Sequence, residues 1–399
     1  VTGGAGGIGW AICQRLAELG YRVAIADLNA EDAMRRAASL GPDHQALGVD
    51  LTDRHAAATL VARAAAVLPG GLSLIVNNAG MTDTGGNTLC DMAQDSFDRI
   101  IALNLTAVEE ICDAALATLS PGGVVINIAS GAAWRPLPLR GPYSATKAAM
   151  VALTEGLAPE FAARGLRIGG VAPGYTLTPL VEDLSRAGRL DLEAVATAIP
   201  LGRLARPHDI ASGIAFMASD AGGVLAGQTL TIDGGSSLGQ APTQTTTARG
   251  VLEGSGALAW LGTLPAATGF TATTAKGLAA FRALEAVIDC TAFENAAAAE
   301  VLNRARDTAR ACAAHPARTR DFALVFVSRP GNTPLQKAAQ TAQVMLARTL
   351  ALEWAPAGLR VNAVDWQSDT DVGLAGLCRF LTGPEAGFIT GQTIVAGRA

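Results

Sequence analysis

Ser130, Tyr143 and Lys147 are the residues of this chain whose types and spacing could move a proton. A free tyrosine has a pKa of about 10, too high for efficient proton transfer near neutrality. A neighbouring cation favours the phenolate and lowers that value. Lys147 follows Tyr143 by one helical turn, so on a helix it projects from the same face and can supply the charge. Ser130, at a strand end, can donate to a substrate oxygen on which negative charge develops. Each residue also has a plain structural use: the Tyr-Lys spacing arises by chance, Tyr143 can be packing, and Ser130 can cap a strand.

A second constellation opens the chain, where Val1 is followed at once by Thr2-Gly3-Gly4-Ala5-Gly6-Gly7-Ile8-Gly9. Glycines before a helix let backbone N–H groups approach a pyrophosphate with no Cβ in the way and with the helix dipole favourable. About twenty residues on, a strand ends in Asp27, where a carboxylate can accept from a ribose 2'-hydroxyl and would repel a 2'-phosphate. Leu28 and Asn29 follow, with no Arg or Lys. NAD is therefore favoured over NADP. A turn of this kind should follow a strand, so a central first strand is cut short, and a longer parent chain is the expectation.

The elements that would position these residues alternate. Apolar runs at 21–27, 46–50, 72–77, 124–129, 167–172 and 229–233 read as strands, and 10–19, 30–40, 56–67, 96–119 and 143–163 as helices. That order implies an α/β fold with a doubly wound parallel, Rossmann-like sheet. The length of 399 residues suggests two domains, and a net charge of −5 without a basic run argues against nucleic acid. Six scattered cysteines and four histidines without ligand spacing imply reduced thiols, no metal and a cytoplasmic setting. The longest uncharged stretch, 254–275, is Gly- and Thr-rich and holds Pro265, which suits a bilayer core poorly.

Residues 1–236 resemble the short-chain dehydrogenase/reductase family. The opening turn is similar to its TGxxxGIG, Asn77-Asn78-Ala79-Gly80 to its NNAG, and Asn104, Ser130, Tyr143 and Lys147 to its tetrad. Pro173-Gly174 with Thr178, Ile199-Pro200-Leu201-Gly202-Arg203, Gly227-Gln228-Thr229 and Asp233-Gly234-Gly235 match further signatures. The resemblance implies hydride transfer between a carbinol carbon and nicotinamide, with Tyr143 moving the proton and Asn104 holding a water beside Lys147. It implies a cofactor held by Thr2, Gly3, Gly7, Ile8, Gly9, Asp27, Asp50, Leu51, Asn78, Ala79, Gly80, Lys147, Pro173, Gly174, Thr176 and Thr178. Substrate choice falls to the segments 131–142 and 175–199. Trp134 and Leu137 suggest an apolar wall, and Arg135 or Arg140 could meet an anionic or hydroxylated substrate or be solvated charges. A small secondary alcohol, polyol or sugar-like substrate fits NAD use. A carrier- or CoA-bound 3-oxoacyl group, or an idle NAD-binding scaffold, are the alternatives.

Residues 237–250 are rich in Ser, Thr, Gln and Gly, with no charge before Arg249, and read as a linker. Beyond them, 251–399 resembles a second, truncated and degenerate copy. Gly358-Leu359-Arg360-Val361 parallels Gly165-Leu166-Arg167-Ile168, and the same offset sets Gln336 opposite Tyr143 and Gln340 opposite Lys147. Neither amide titrates. Trp366-Gln367 replace Pro173-Gly174, Ser328 stands where Ser130 would, and only Gly254-Ser255-Gly256 offers a residual phosphate turn. Before residue 321 only a strand at 286–290 and a helix at 294–314 are legible. This half is expected to be non-catalytic and to serve as a built-in subunit, so that two chains form a pseudo-tetramer with two sites.

Overall fold

The computed structural model describes residues 1–82, 87–241, 251–252, 256–262, 270–293 and 297–398. They form two compact units, Val1–Leu190 with Ala205–Thr231 and Asp191–Leu204 with Ile232–Ala399. The division departs from the boundary expected after residue 236. Residues 254 and 255 of the residual turn, most of the linker (242–250) and the first residues of the 294–314 helix lie outside the described residues.

In the first unit the strands are β1 (Ala24–Asp27), β2 (Gln45–Gly48), β3 (Leu74–Asn77), β4 (Val124–Ile128), β5 (Arg167–Pro173) and β6 (Thr229–Ile232). β1 pairs with β2, and β3-β4-β5-β6 form a separate sheet; β1–β2, β3–β4 and β4–β5 are parallel. Val1 to Gly3 run between the two sheets. Ala26 N donates to Val1 O at 2.9 Å, Gly3 N to Ala26 O at 2.7 Å, and Thr2 N to Val76 O at 3.0 Å. Leu16, Val23, Leu47, Leu60, Leu68 and Leu72 line a narrow cavity beside this junction.

The helices are α1 (Gly7–Glu18), α2 (Ala30–Leu40), α3 (Arg54–Val67), α4 (Gln94–Ile101), α5 (Ala107–Thr118), α6 (Gly141–Ala163), α7 (Pro179–Arg186) and, in the second unit, α8 (Leu192–Ala198); α9 (Pro207–Ala218) returns to the first. Local chemistry sets their starts: Asn29 accepts from Asp32 N, and Asp53 from His55 N and Ala56 N. The single helix expected over 96–119 is broken by one π-helical turn, Ala102–Thr106, which carries Asn104. Between the layers, Asn77 Nδ2 donates to Asn127 Oδ1 and Asn127 Nδ2 to Thr154 Oγ1, both at 2.9 Å. This buried chain ties β3, β4 and α6 in one register.

The second unit holds a further parallel sheet. Its strands are β7 (Val251–Leu252), β8 (Ala257–Leu261), β9 (Thr271–Thr273), β10 (Leu284–Asp289), β11 (Arg318–Ser328), β12 (Arg360–Trp366) and β13 (Thr393–Ala396), in the order β13-β12-β11-β10-β8-β9 with β7 beside β11. β8 and β9 correct the expectation that only a strand at 286–290 precedes residue 321. They are short and lie next to Gly- and Thr-rich chain, which hides their period. α10 (Ala298–Ala314), α11 (Pro334–Trp354) and α12 (Leu374–Thr382) accompany the sheet, and Phe322, Leu324, Phe326, Trp354 and Val361 pack in its core. The Asp233-Gly234-Gly235 segment belongs here: Gln392 Nε2 donates to Asp233 Oδ1 at 3.0 Å and Gly234 N to Phe388 O at 3.0 Å, and the Arg203 guanidinium lies over the Phe388 ring.

Among the described residues no helix is long and apolar enough to cross a membrane, and no His, Cys, Asp or Glu group could hold a metal. All six cysteines are free and only Cys90 is exposed.

In the second unit the Arg360 guanidinium is buried and donates to five carbonyl oxygens, those of Asp321, Leu381, Thr382, Gly383 and Ala386. Burial pushes its pKa down to about 10. Arg360→Met strands those acceptors and is expected to cost this unit about 3 kcal/mol or more. Trp260, Trp354 and Trp366 are buried in the same unit, so a fall in the fluorescence denaturation midpoint reports it. An unchanged midpoint would contradict this account.

Candidate active site

The glycine turn is held by contacts that only glycine permits. A Cβ on Gly9 would lie 2.0 Å from Gly3 O, and Gly3 and Gly7 sit at φ +60° and +52°. Gly6 caps α1 with no side-chain partner, and nothing stands within 4 Å of where its Cβ would point. The first turn of α1, which includes Ile8, leaves N–H groups without partners inside the helix, the groups that a pyrophosphate would meet.

Asp27 ends β1 beside this turn. Its Oδ2 accepts from Ala5 N and its Oδ1 from Asn29 N, each at 3.0 Å, and a carboxylate retains lone pairs for a ribose hydroxyl. On the other side of Ala5, Arg36 Nε donates to Ala5 O at 3.2 Å and its guanidinium lies over the Trp10 ring at 4.5 Å. Arg36 lies nine residues beyond Asp27, so spacing along the chain does not reveal this cation. Asp50 is exposed, and bonds from Thr52 hold its pKa below the usual carboxylate value; Leu51 is buried.

Thr2 and Asn78 latch the turn to the end of β3. Thr2 Oγ1 accepts from Asn78 N and Ala79 N at 3.0 Å each, and Asn78 Nδ2 donates to Thr2 O at 2.9 Å and Gly3 O at 3.1 Å. Just beyond, a Cβ on Gly80 would stand 3.4 Å from Asn104 Oδ1 and 3.5 Å from Lys147 Nζ, so Asn104 and Lys147 converge there. Asn104 is fully buried; it bonds the Met81 N–H and carbonyl and donates to Thr146 Oγ1. At the end of β5, past Pro173, Thr176 Oγ1 donates to Gly174 O at 3.1 Å. Thr178 caps α7, and its Cγ2 would lie 3.6 Å from a Cβ on Gly7.

Ser130 follows β4, where its Oγ accepts from Ala132 N at 3.2 Å and its side chain lies near enough to Tyr143 to act on the phenol. Lys147 is buried, donates through Nζ to Ile128 O at 2.6 Å and lies 5.8 Å from the centroid of the Tyr143 ring. Burial pushes its pKa down to about 8. For Tyr143, desolvation raises the pKa, and the Ser130 side chain and the charge of Arg140 pull it back. The Lys147 ammonium is bonded to a main-chain carbonyl while lying over the phenol ring, and the charge of Arg140 also reaches the phenol.

In the second unit the aligned residues serve structure. Gln336 forms a capping box with Thr333 at the start of α11, and Gln340 Nε2 donates to Asp365 Oδ1 at 2.6 Å. Ser328 is buried at the end of β11.

Residues 3–237 match the family model described as enoyl-(acyl carrier protein) reductase. An uncharacterized short-chain type dehydrogenase/reductase of Sinorhizobium fredii is 37% identical over 235 residues, 59% of this chain and 42% of that protein. The chain belongs to the short-chain dehydrogenase/reductase family. A 4-formylbenzenesulfonate dehydrogenase of Comamonas testosteroni is 42% identical over 244 residues, covering 59% of this chain and 95% of the relative. A cis-4-hydroxycyclohexanecarboxylate dehydrogenase of Sinomonas cyclohexanicum is 39% identical over 241 residues, covering 59% and 94%. The solved structure of a Brucella melitensis 3-ketoacyl-(acyl-carrier-protein) reductase complexed with NADH is similar at a TM-score of 0.54 and 29% identity, covering 59% of this chain and 96% of that one. In this family member the likeness thus falls on the half that carries Ser130, Tyr143 and Lys147.

Burial of Lys147 has a sign that can be checked. Below pH 8 both folded and unfolded chains hold the proton and the folded state bears the whole cost; between about 8 and 10.5 the folded state sheds it first, so this group's penalty is relieved as pH rises. Lys147→Met is therefore expected to be more heat-stable than the parent protein at pH 7, by up to about 3 kcal/mol less the lost bond to Ile128. The gap should close towards pH 10.5. Melting curves across that range, taken without cofactor, test it; a gap that widens with pH would refute the assignment.

Proposed function

We propose that the chain is an oxidoreductase that transfers a hydride between NAD(H) and the CH–OH or C=O group of a small secondary alcohol, polyol or sugar-like substrate. The observation that carries this reading is Lys147 Nζ and Asn104 Oδ1 converging on Gly80, with Lys147 Nζ 5.8 Å from the centroid of the Tyr143 ring. The glycine turn, Asp27, Asn78 to Gly80 and Thr178 would hold a nicotinamide dinucleotide, with Asp50, Leu51 and Thr176 at its edges. When bound, that group supplies the hydride acceptor or donor. Tyr143 takes the hydroxyl proton in oxidation and returns it in reduction, and Ser130 donates to the same oxygen as charge develops. Lys147 adds a positive field from below the ring. Asp27 favours NAD, while Arg36 beside the same turn is the one feature that would favour a 2'-phosphate.

Tyr143→Phe is expected to lower NAD-linked turnover about 10²–10⁴-fold with little change in NADH affinity. Absorbance assays over a panel of alcohols and polyols, with NAD and NADP, test this together with a fluorescence titration of NADH. Unchanged turnover would sink the role of Tyr143.

For the second unit we infer a non-catalytic role in assembly, since Gln336 and Gln340 are engaged in a cap and with Asp365. A dimer of chains, a pseudo-tetramer of units, is expected by light scattering; a strictly monomeric protein would overturn it.

A further inference from the structure

Thr146 stands one residue before Lys147 on α6 and is 1% exposed. Its hydroxyl has two partners: Oγ1 donates to Tyr143 O at 2.9 Å and lies 3.2 Å from Asn104 Nδ2. A hydroxyl holds one proton, so with that proton on the Tyr143 carbonyl Oγ1 must accept from Asn104. The Asn104 amide is engaged on its other side as well. Its Oδ1 accepts from Met81 N at 2.9 Å and its Nδ2 donates to Met81 O at 2.8 Å, which fixes the way the amide faces. The bond to Thr146 takes the second amide proton, and one lone pair of Oδ1 is left.

The π turn that carries Asn104 is thus joined through one hydroxyl to the part of α6 that carries Tyr143 and Lys147. Met81 settles the direction of the amide without Thr146, so what the hydroxyl adds is spacing. The spacing falls where the site is polar: a Cβ on Gly80 would stand 3.4 Å from Asn104 Oδ1 and 3.5 Å from Lys147 Nζ. An acceptor from the π turn and an ammonium from α6 therefore approach one point. Lys147 is met in addition by Ile128 O from β4 and by the Tyr143 ring from its own helix, and the charge of Arg140 reaches Tyr143. An acceptor near an ammonium favours its charged form, and the separation decides how strongly.

We infer that Thr146 is a positioning residue, whose hydroxyl fastens α6 to the π turn so that Lys147 Nζ and the remaining lone pair of Asn104 Oδ1 are held to one point beside Gly80. This rests on the dehydrogenase reading above and adds to it the group that sets the distance between two of its polar residues. Serine can do the same work, because it carries the same hydroxyl. Valine cannot, although it keeps the shape, and it leaves one buried amide proton of Asn104 without an acceptor.

Melting curves without cofactor, from pH 7 to 10.5, compare Thr146→Val with Thr146→Val/Lys147→Met, and the parent protein with Lys147→Met. With Oδ1 no longer held beside it, the Lys147 ammonium costs more in the folded state. The gap within the valine pair should then be wider at pH 7 and begin to close below pH 8, about half a pH unit or more before the parent pair. The same comparison on Thr146→Ser should restore the parent pattern. A bond that served stability alone would lower both members of the valine pair alike and leave the gap where it was. In the alcohol panel, Thr146→Val should lower Tyr143-dependent kcat about tenfold with KM little changed, and Thr146→Ser should keep it. A gap that is unmoved or moved to higher pH in Thr146→Val, or an undiminished kcat, overturns the inference and leaves the Tyr143 reading standing. Turnover that does not depend on Tyr143 overturns that reading, and the melting curves then decide the spacing by themselves. If Thr146→Val does not fold, Thr146→Ala, the better helix former, takes its place in both comparisons.

Discussion

The site depends first on the bond set between Thr2 and Asn78. One hydroxyl accepts two backbone N–H groups and one side-chain amide spans two carbonyls, so the glycine turn and the end of β3 cannot shift independently. Gly9 must then lie against Gly3, because the carbonyl there leaves no room for a Cβ. Everything downstream inherits this geometry: Asp27 is fixed through Ala5 N, and Gly80 is placed where Asn104 and Lys147 meet. Polar groups taken out of water must be paired, and here the pairing is also the alignment of the site.

Burial governs the chemistry in two opposed ways. It strips water from Lys147 and Tyr143, which disfavours both the ammonium and the phenolate. The protein offsets this with a carbonyl for the lysine, while the Ser130 side chain and the charge of Arg140 pull the tyrosine back. A buried lysine with one polar partner is a costly way to fill the space under a ring.

Much of this was legible in the residues because the signals are local. α2 matches its amphipathic period, β4 reads as a continuous apolar run, and the glycine turn with Asp27 about twenty residues later is a spacing argument. Other features carry no local signal. β8 and β9 are too short to show a period. The π turn at Asn104 looks like ordinary helix. Arg36 reaches Ala5 only because α2 packs beside the turn. Gln336 looked like a lost tyrosine, whereas it closes a capping box with Thr333, a pattern that the Thr-x-x-Gln spacing did contain.

By itself, then, the order of residues determined which groups are available: a tyrosine and lysine one turn apart, a serine at a strand end, glycines where backbone must come close, and an alternating pattern that makes parallel sheets. Only the tertiary structure decided how those groups are charged and whom they serve. It turned Lys147 to Ile128, broke the helix at Asn104 with a π turn, and drew the Asp233 segment into the second unit. The reason is physical. Periodicity and spacing act along the chain, but desolvation and charge act through space, among residues that the chain leaves far apart.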